Sequence, residues 1–550
     1  MKAFDYVIAG GGSAGCALAA RLAEDRHVSV CVIEAGGKGR DLFIRMPAGN
    51  GFVFGNPRLD WSYSSVPQPG LNNRSIYYPR GKALGGSSIV NGMIYMRGVP
   101  GDYDAWQQPG WRYADVLPYF LRSEGSRDRR DAWHGADGPL KTEPARNFGE
   151  IEQAFIDAAV MAGHKRIDDF NGPERTGVAR NDSTVSKGVR QSAAIAYLAS
   201  KPANLTILTG TLITRIVFER GRAVGVQTLS GDVIRAEREV ICCQGAFGSP
   251  HLLLLSGIGP ADHLREHGID VTTNLPSVGA HLSDHPDVSM QWGSDRMDLS
   301  HARHQRLDRA ACLMGRWLLN GGGAGGGPFF STVLFHAFED AALPELEVFM
   351  TPMVVEENLG NCAAEQIPLL QRLGRKLLVR GRKMARPGVQ IDINLERPKS
   401  EGTVRLASAD PRAHPLIDPN YFADPNDIEM LKCGVHVMRE VMAQSPIAAL
   451  VTGEIGAWKN ARHDAEIEQA IRMTAYTGHH PACTARMGDV LDADLRVRGV
   501  EGLRVCDASA MPKQITGNLY ATVIMMAEKA ADMILGRPPL PAEYPMEHTL

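Results

Sequence analysis

The apolar positions at the beginning of the chain predict a strand, a helix and a second strand. An apolar run covers residues 4–9, a helix-compatible stretch covers 16–24, and a largely apolar run covers 28–33 and ends at Glu34. Short continuous apolar runs of this kind are typical of buried parallel strands. We therefore expect a β-α-β unit whose second strand carries an acid at its tip.

A glycine-rich turn joins the first expected strand to the helix. Gly10, Gly12 and Gly15 follow the pattern Gly-x-Gly-x-x-Gly. In such a turn the first glycine permits the tight bend, the second lets the backbone approach a pyrophosphate, and the third lets helix and strand pack closely. The helix N-terminus favours phosphate, and Glu34 is placed to bind ribose hydroxyls. The unit predicts a dinucleotide site rather than a plain glycine turn, without distinguishing NAD from FAD.

Apolar periodicity predicts further elements along the chain. Runs or alternating patterns favour strands at 205–208, 213–219, 223–228, 233–243, 346–351, 389–395 and 403–406. Apolar stripes at helical spacing favour helices at 102–124, 151–162, 251–256, 427–442 and 521–535. The strands at 213–228 are separated by turn residues, as in a meander.

Composition narrows the class of protein. The chain has 550 residues, 44% hydrophobic and 22% charged, with a net charge of −3. This length predicts at least two domains, and the near-neutral charge gives no reason to expect nucleic acid as a partner. Without a long apolar run or a leader before the first strand, we expect a cytoplasmic protein. Its cysteines are interpreted as small buried hydrophobes, and no Cys/His cluster indicates a metal.

One basic segment departs from this pattern. Residues 366–386 interleave leucine and valine with seven Lys/Arg between Arg372 and Arg386. A basic amphipathic segment can lie on an anionic membrane surface, which would place the protein peripherally on the cytoplasmic face of a membrane. The alternative, a solvated helix or surface loop, remains open.

A loop at 78–98 combines basic residues with paired glycines and serines. It offers backbone N–H groups and hydroxyls at close range, as a phosphate- or ring-binding loop requires. Residues 80–98 resemble the first signature of the glucose-methanol-choline (GMC) flavin oxidoreductases, and residues 245–260 resemble the second. Segments at 278–286, 476–488 and 505–518 match the same family, so the resemblance covers nearly the whole chain.

The resemblance implies an α/β fold with two domains. A discontinuous Rossmann-like FAD-binding domain is expected at 1–155, 200–290 and 475–550. A substrate-binding domain with an antiparallel sheet flanked by helices is expected at 156–199 and 291–474. The members most similar in appearance are bacterial choline-dehydrogenase and alkanol-dehydrogenase types.

The resemblance also implies a resident FAD. Some members attach FAD covalently through a His in the first-signature loop, but the matching residue here is Val90, so non-covalent FAD is expected. The glycine turn should hold the pyrophosphate, and residues 80–94 should wrap the pyrophosphate and the isoalloxazine. The expected cofactor-binding residues are Gly10, Gly12, Ser13, Ala14, Gly15, Glu34, Ala35, Trp61, Arg80, Gly81, Leu84, Gly86, Ser87, Val90, Asn91, Gly92, Met93, Ile94, Ile213, Gly245, Ser249, His479, Asp507, Ala508 and Thr522.

Catalytic residues are carried over from the C-terminal segments. Alcohol oxidation needs a base for the hydroxyl proton and a second group that fixes the oxygen, and His is the side chain best suited as base. The family places a His before a Pro and a His or Asn about 40 residues later. The matching residues are His480 and Asn518. The neighbouring His479 is expected to lie against the flavin.

Four positions differ from the usual family pattern. Cys483 stands where many members have Gly, Tyr520 where Asn is common, and Thr522 where Pro is common. Cys483 is either a reactive thiol or an ordinary buried cysteine. Asp392 stands where relatives often carry His, so it either faces the substrate or is a solvated strand residue.

The expected activity is FAD-dependent oxidation of a primary alcohol, or of an aldehyde hydrate, to the carbonyl. The expected electron acceptor is a quinone or carrier, and the alternative is an alcohol oxidase that uses O2. A lyase or decarboxylase on the same scaffold and a non-catalytic flavoprotein are further alternatives. The substrate and the oligomeric state are not indicated by any residue, and choline in particular has no residue in its favour.

Overall fold

The computed structural model describes residues 2–338, 341–355 and 385–545. Two seven-stranded sheets organise this part of the chain. Their strands are β1 Lys2–Ala9, β2 Val30–Glu34, β3 Gly177–Arg180, β4 Leu205–Thr209, β5 Ile213–Glu219, β6 Arg222–Thr228, β7 Val233–Cys242, β8 Pro286–Gly293, β9 Thr332–His336, β10 Leu346–Thr351, β11 Gly388–Leu395, β12 Gly453–Glu454, β13 Tyr476–Thr477 and β14 Leu503–Val505. The longer helices are α1 Ser13–Leu22, α2 Tyr113–Ser123, α3 Glu150–Met161, α4 Gly245–Leu255, α5 Leu307–Asn320, α6 Pro425–Met442, α7 Asp464–Thr474 and α8 Tyr520–Leu535.

The first sheet is a Rossmann-like parallel core with an antiparallel extension. Its order is β4-β2-β1-β7-β6-β5, and β14 also pairs with the end of β7. Strands β4, β2, β1, β7 and β14 run parallel, whereas β5 and β6 form an antiparallel hairpin beside the first half of β7. Helix α1 connects the parallel strands β1 and β2 and packs against α8. The expected β-α-β unit is confirmed.

The second sheet is antiparallel throughout and has two chemically distinct faces. Its order is β12-β8-β11-β10-β9-β3, and β13 also pairs with β8. Because side chains alternate along a strand, one face carries Val288, Met290, Val348, Ile391 and Ile393, all fully buried. That face packs against helices including α6. The opposite face carries polar residues that are nevertheless buried: Asp287, Ser289, Glu347, Asp392 and Asn394.

Most predicted elements agree with the structure, and one helix is wrong. The stretch predicted as a single helix at 102–124 forms a short helix, Pro100–Asp104, and α2. Pro109 and Gly110 lie between them, and Gly110 adopts a positive φ of 78°, so the helix cannot continue. The apolar stripe is still core, since Trp106, Trp111 and Phe120 are buried. The helix predicted from 251 begins earlier, at Gly245, directly after the turn that follows β7.

The membrane question falls largely outside the described part of the chain. Of the basic segment 366–386, only the last two residues lie within the described ranges, where they form the short strand Ala385–Arg386. Among the described helices, none combines the length and the apolar character that a bilayer crossing would need. The expected peripheral contact stays a prediction.

Candidate active site

A cavity of about 2180 Å³ is bounded by the first sheet on one side and by the polar face of the second on the other. The first sheet contributes residues just beyond the carboxyl ends of β1, β2, β7 and β14. The N-termini of α1, α4 and α8 also line it. Ligands of doubly wound sheets bind in the crevice outside the carboxyl ends of the strands. The cavity therefore lies where the fold provides a dinucleotide site.

Most of the site residues predicted from the sequence line this one cavity. Those that do are Gly10, Gly12, Ser13, Ala14, Glu34, Ala35, Trp61, Arg80, Gly81, Gly86, Ser87, Val90, Asn91, Gly92, Met93, Ile94, Ile213, Gly245, His479, His480, Asp507, Ala508 and Asn518. They come from both ends of the chain and from its middle, and the fold brings them together.

Four predicted cofactor residues lie behind the wall instead of lining it: Gly15, Leu84, Ser249 and Thr522. A Cβ at Gly15 would lie 2.0 Å from the Gly10 carbonyl oxygen, so Gly15 serves the close packing of helix and strand. The Ser249 hydroxyl donates to the Asp507 carboxylate at 2.5 Å. The Thr522 and Tyr103 hydroxyls are hydrogen-bonded at 2.7 Å. Through these contacts Gly15, Ser249 and Thr522 support the cavity wall from behind.

The glycine turn fits a pyrophosphate because backbones approach each other there. A Cβ at Gly10 would lie 2.6 Å from the Cys243 carbonyl oxygen, and one at Gly86 would lie 2.6 Å from Gly12 Cα. Helix α1 starts after Gly12, which has no side chain to cap it. Its first N–H groups are therefore available to an anion. Gly10 and Gly86 both adopt positive φ, at 107° and 52°, which favours glycine.

Glu34 lies at the tip of β2, where the sequence placed it. Its two carboxylate oxygens accept from the Gly11 N–H at 3.0 Å and the Gly36 N–H at 2.8 Å. Burial raises its pKa, while these two bonds lower it. A carboxylate oxygen has capacity for more than one hydrogen bond, so Glu34 can fix the turn and still face a ribose.

A buried arginine supports the Asn91 loop, and sequence reasoning missed it. Arg190 Nη1 donates to the Asn91 side-chain oxygen at 2.7 Å and to its carbonyl oxygen at 2.8 Å. The same guanidinium contacts Asn50, which also lines the cavity. Burial lowers the pKa of Arg190 to about 9. No local motif surrounds Arg190, so only the tertiary fold reveals this role. Val90, beside Asn91, lines the cavity with an aliphatic side chain.

The two predicted catalytic side chains are hydrogen-bonded to each other. His480 Nε2 and Asn518 Nδ2 are 3.0 Å apart. His480 Nδ1 lies 3.0 Å from His285 Nδ1. An amide nitrogen can only donate, so Asn518 donates to the Nε2 lone pair of His480, and the proton of the neutral imidazole lies on Nδ1. Within the described residues, the Asn518 side-chain oxygen has no hydrogen-bond partner.

The loop that carries His480 is fixed by a buried carboxylate. Asp284 accepts from the His480 backbone N–H at 2.8 Å and from the Thr477 and Tyr421 hydroxyls, each at 2.6 Å. Gln514 Nε2 donates to the His480 carbonyl oxygen at 2.7 Å. These bonds fix the backbone of His480, and the contacts of its ring with His285 and Asn518 orient the imidazole.

All three histidines of this region are neutral over the physiological pH range. Burial lowers the pKa of His480 well below its ordinary value, and the neighbouring His285 and His479 lower it further. Burial lowers the pKa of both His285 and His479 to about 3. A neutral imidazole whose Nε2 lone pair faces a cavity can accept a proton from a bound hydroxyl once that hydroxyl replaces the Asn518 N–H.

His479 occupies a strained backbone position beside the base. Its φ is 69°, in the left-handed region, and its carbonyl oxygen accepts from Arg80 Nη2 at 2.9 Å. Its N–H donates to the Thr477 hydroxyl at 2.8 Å. Within the described residues, its buried Nδ1 has no partner. An unpartnered buried polar atom on the cavity wall fits a site that receives a further polar group.

Two of the four positions that differ from the family pattern, Cys483 and Asp392, had two possible interpretations, and the structure bears on both. Cys483 is buried, burial raises its pKa, and its φ is 72°. A left-handed φ is natural for glycine, which explains why the turn is compatible with Gly at this position. Asp392 is buried in β11, lines the cavity, and accepts from the Ser289 hydroxyl at 2.7 Å. The interpretation of Asp392 as a solvated strand residue is wrong.

Sequence reasoning also missed the groups behind His480. Asp284 and His285 lie in a segment recognised only as resembling the family, and Glu396 was not singled out. Asp284 and His285 contact His480, and Glu396 contacts His285, only because the fold brings together segments that are distant in sequence. Glu396 directly follows β11 and continues the alternation of Asp392 and Asn394, and this spacing of two is the sequence signal that could have drawn attention to it.

Comparisons with known proteins agree with this geometry. Residues 4–287 match the N-terminal domain of GMC oxidoreductases, and residues 398–527 match the C-terminal domain. The chain is 40% identical to an oxygen-dependent choline dehydrogenase of Stenotrophomonas maltophilia over 98% of this chain and 96% of the relative.

Two solved structures extend the likeness to three dimensions. A pyridoxine 4-oxidase from Mesorbium loti superposes with a TM-score of 0.83 at 28% identity, covering 97% of this chain and 100% of the other. The formate oxidase of Aspergillus oryzae gives a TM-score of 0.86 at 26% identity, covering 97% and 98%.

The fold and the site together define a dinucleotide-dependent oxidoreductase with a histidine at the reaction end of its cavity. The chain belongs to the GMC oxidoreductase family. Enzymes of this family are FAD-dependent, and the glycine cradle, the uncapped N-terminus of α1 and the unpartnered His479 Nδ1 fit such a cofactor.

Proposed function

We propose that the protein catalyses FAD-dependent oxidation of a primary alcohol, or of an aldehyde hydrate, to the carbonyl. The observation that carries this proposal is the pair formed by neutral His480 and Asn518, with Nε2 and Nδ2 3.0 Å apart on the cavity wall. A base and an orienting donor at this separation can hold one hydroxyl oxygen between them.

The chain's own residues have separate tasks in this reaction. The alcohol hydroxyl displaces the bond between Asn518 and His480, donates to His480 Nε2 and accepts from Asn518 Nδ2. His480 Nε2 then takes the hydroxyl proton, and Asn518 stabilises the negative charge that develops on the oxygen. The polar face of the second sheet closes the cavity opposite the glycine turn. FAD, when bound, supplies the acceptor for the hydride that leaves the carbinol carbon.

Arrangement of the cofactor is part of the same proposal. The glycine turn and the N-terminus of α1 would hold the pyrophosphate of FAD, Glu34 would bind the adenosine ribose, and residues 80–94 would contact the pyrophosphate and the ring system. The aliphatic Val90 supports non-covalent attachment, because it offers no nucleophile. The division into an FAD-binding domain (1–155, 200–290 and 475–550) and a substrate-binding domain (156–199 and 291–474) is supported by the way the two sheets meet at the cavity.

The sequence and the comparisons favour different electron acceptors. A quinone or carrier, with peripheral contact to the cytoplasmic face of a membrane, is the acceptor expected from the sequence. The name of the Stenotrophomonas relative, an oxygen-dependent enzyme, and the two oxidase structures favour O2 instead. Reoxidation of the reduced enzyme by O2 and by a soluble quinone, measured side by side in a stopped-flow instrument, separates the two.

Anaerobic mixing with a panel of alcohols and aldehydes tests the proposed activity. We expect bleaching of the oxidised flavin spectrum with at least one primary alcohol. Photoreduction of the same sample in the absence of alcohol provides the control, because it shows that the bound flavin can be reduced. If light fully reduces the flavin but no alcohol or aldehyde bleaches its oxidised spectrum, the proposed activity is wrong.

A further inference from the structure

Behind His480 lies a buried line of titratable groups that an acid-base pair alone would not need. His285 Nδ1 is 3.0 Å from His480 Nδ1 and 3.5 Å from Glu396 Oε1. The side chains of His285 and Glu396 are fully buried. Both contacts are made by the same nitrogen, so a proton on His285 Nδ1 would lie near both His480 and the Glu396 carboxyl group.

A second carboxyl group, Glu347, stands beside Glu396. Glu347 of β10 lies opposite Asn394 of β11, and Glu396 follows two residues further along. Residues two apart on a strand share a face, and diagonal neighbours of this kind are within reach of long side chains. Burial raises the pKa of Glu347 well above its ordinary value, and the charge of Glu396 raises it further. The pair therefore retains a proton at neutral pH, since two adjacent buried carboxylates cannot both be ionised.

The environment of Glu396 contains few compensating charges. Burial raises the pKa of Glu396 to about 8, and the nearby Asp102 contributes in the same direction. Arg397 lowers this pKa, but its guanidinium is already paired with Asp102 at 2.7 Å. The Gly517 N–H donates to Glu396 Oε2, one residue before the catalytic Asn518. The groups that face Glu396 are thus Glu347, His285, Asp102, Arg397 and this N–H.

We propose that His285, Glu396 and Glu347 form a proton relay that receives positive charge from His480 during alcohol oxidation. This inference rests on the proposed function and adds three positioning residues to it. When the alcohol O–H bond breaks, an Nε2–H bond forms on His480. The Nδ1–H bond of His480 breaks, an Nδ1–H bond forms on His285, and the Glu396 carboxylate stabilises the resulting imidazolium. Glu347 stays protonated and donates to Glu396.

The relay explains how a base of such low proton affinity can act. An imidazole whose pKa is held well below the ordinary value is a weak base by itself. Passing the charge to a second imidazole beside a carboxylate strengthens it at the moment of proton transfer. Because only ionised Glu396 offers this counter-charge, proton transfer should become faster as pH rises through about 8.

The first readout is the pH dependence of anaerobic flavin reduction. In the wild-type holoenzyme we expect the rate constant of flavin reduction to increase with pH, with a midpoint near pH 8; this increase is called the alkaline limb. In Glu396→Gln the limb should disappear, and reduction at alkaline pH should be about tenfold slower, as loss of one pKa unit of base strength implies. Glu152→Gln is the matched control, because Glu152 is also a buried acid with raised pKa but caps α3 instead of contacting His285. It should keep the limb.

The second readout needs no alcohol. Ring-15N-histidine spectra of the resting holoenzyme should show His285 and His480 signals that shift with a midpoint near pH 8, and this shift should vanish in Glu396→Gln. His285→Asn identifies the signals. If the wild type shows the shift but no alcohol reduces the flavin, the proposed function fails while the connection from Glu396 to His480 stands. A limb retained in Glu396→Gln, or no histidine shift in the wild type, overturns the relay.

Discussion

The two ends of the cavity differ in the atoms that line them: one is lined mostly by backbone and the other mostly by side chains. At the dinucleotide end, the wall is mostly backbone: Gly86 closely approaches Gly12, Gly10 closely approaches the Cys243 carbonyl, and α1 begins there without a side-chain cap. At the reaction end, the wall is mostly side chains, contributed by His480, Asn518 and the polar face of the second sheet. The difference teaches that a backbone site depends on a few short motifs, whereas a side-chain site depends on many distant segments. It also predicts that binding and chemistry can be lost separately.

Removal of the base should produce the largest effect. In His480→Ala we expect flavin reduction by alcohol to slow by about 10²- to 10⁴-fold, the usual contribution of a positioned base. Flavin content should stay at the wild-type level, because the dinucleotide end is untouched. Anaerobic stopped-flow reduction and the flavin-to-protein absorbance ratio measure both quantities. His251→Ala, which changes another histidine on the cavity wall, is the control. Equal reduction rates in His480→Ala and wild type would refute the assignment of the base.

Removal of the orienting amide should have the next largest effect. Asn518→Ala loses the donor that stabilises charge on the oxygen, and such donors are worth about 10²- to 10³-fold in rate. Asn518→His should recover much of the activity, since an imidazole N–H can take the same role. Single-turnover reduction rates for the three proteins test this order. An alanine variant as fast as the histidine variant would show that Asn518 does not hold the oxygen.

A change at the dinucleotide end should weaken FAD binding and leave the reduction rate of bound flavin unchanged. In Gly86→Ala a Cβ would lie 2.6 Å from Gly12 Cα, at a φ of 52°. The left-handed backbone alone costs about 1–2 kcal/mol, so we expect FAD affinity to fall by about tenfold or more. Molecules that retain flavin should be reduced by alcohol at the normal rate. Gly37→Ala is the control, because its added Cβ meets nothing within 4 Å. Titration of apoprotein with FAD provides the measurement.

The smallest effect is expected behind the wall. Thr522→Val removes a hydroxyl that is 2.7 Å from the Tyr103 hydroxyl, which also accepts from the Gly98 N–H at 3.0 Å. Because Tyr103 keeps a partner, we expect a loss of about 1 kcal/mol in the free energy of unfolding. Denaturant unfolding measures the loss, and unchanged reduction kinetics would agree with a purely supporting role. A loss of FAD in this variant would instead make Thr522 part of the cofactor site.

The contrast between the two ends also explains what the sequence could predict. The turn with Gly10, Gly12 and Gly15 and the strand that ends at Glu34 are local patterns whose spacing follows from backbone geometry, and the structure contains them as expected. His480 and Asn518 were reached only through the family resemblance, because a histidine pair in a loop has no local signature.

The remainder depends on contacts that no local pattern contains. Arg190 reaches Asn91 across about a hundred residues, and His285 meets His480 across almost two hundred. The break in the predicted helix at 102–124 is a different kind of miss. Its signal, Pro109-Gly110, was present in the sequence but was outweighed by an apolar stripe that proved to be core.

The alternation along β8, β10 and β11 has a consequence for how this protein can change. Along each strand, alternate residues pack against the helices, and residues between them line the cavity. Substitutions at Asp392 or Phe349 therefore alter the shape and charge presented to a substrate without entering the apolar layer on the other side. Evolution or protein engineering can therefore change substrate preference at the cavity-lining positions of this sheet while the apolar positions keep the protein folded.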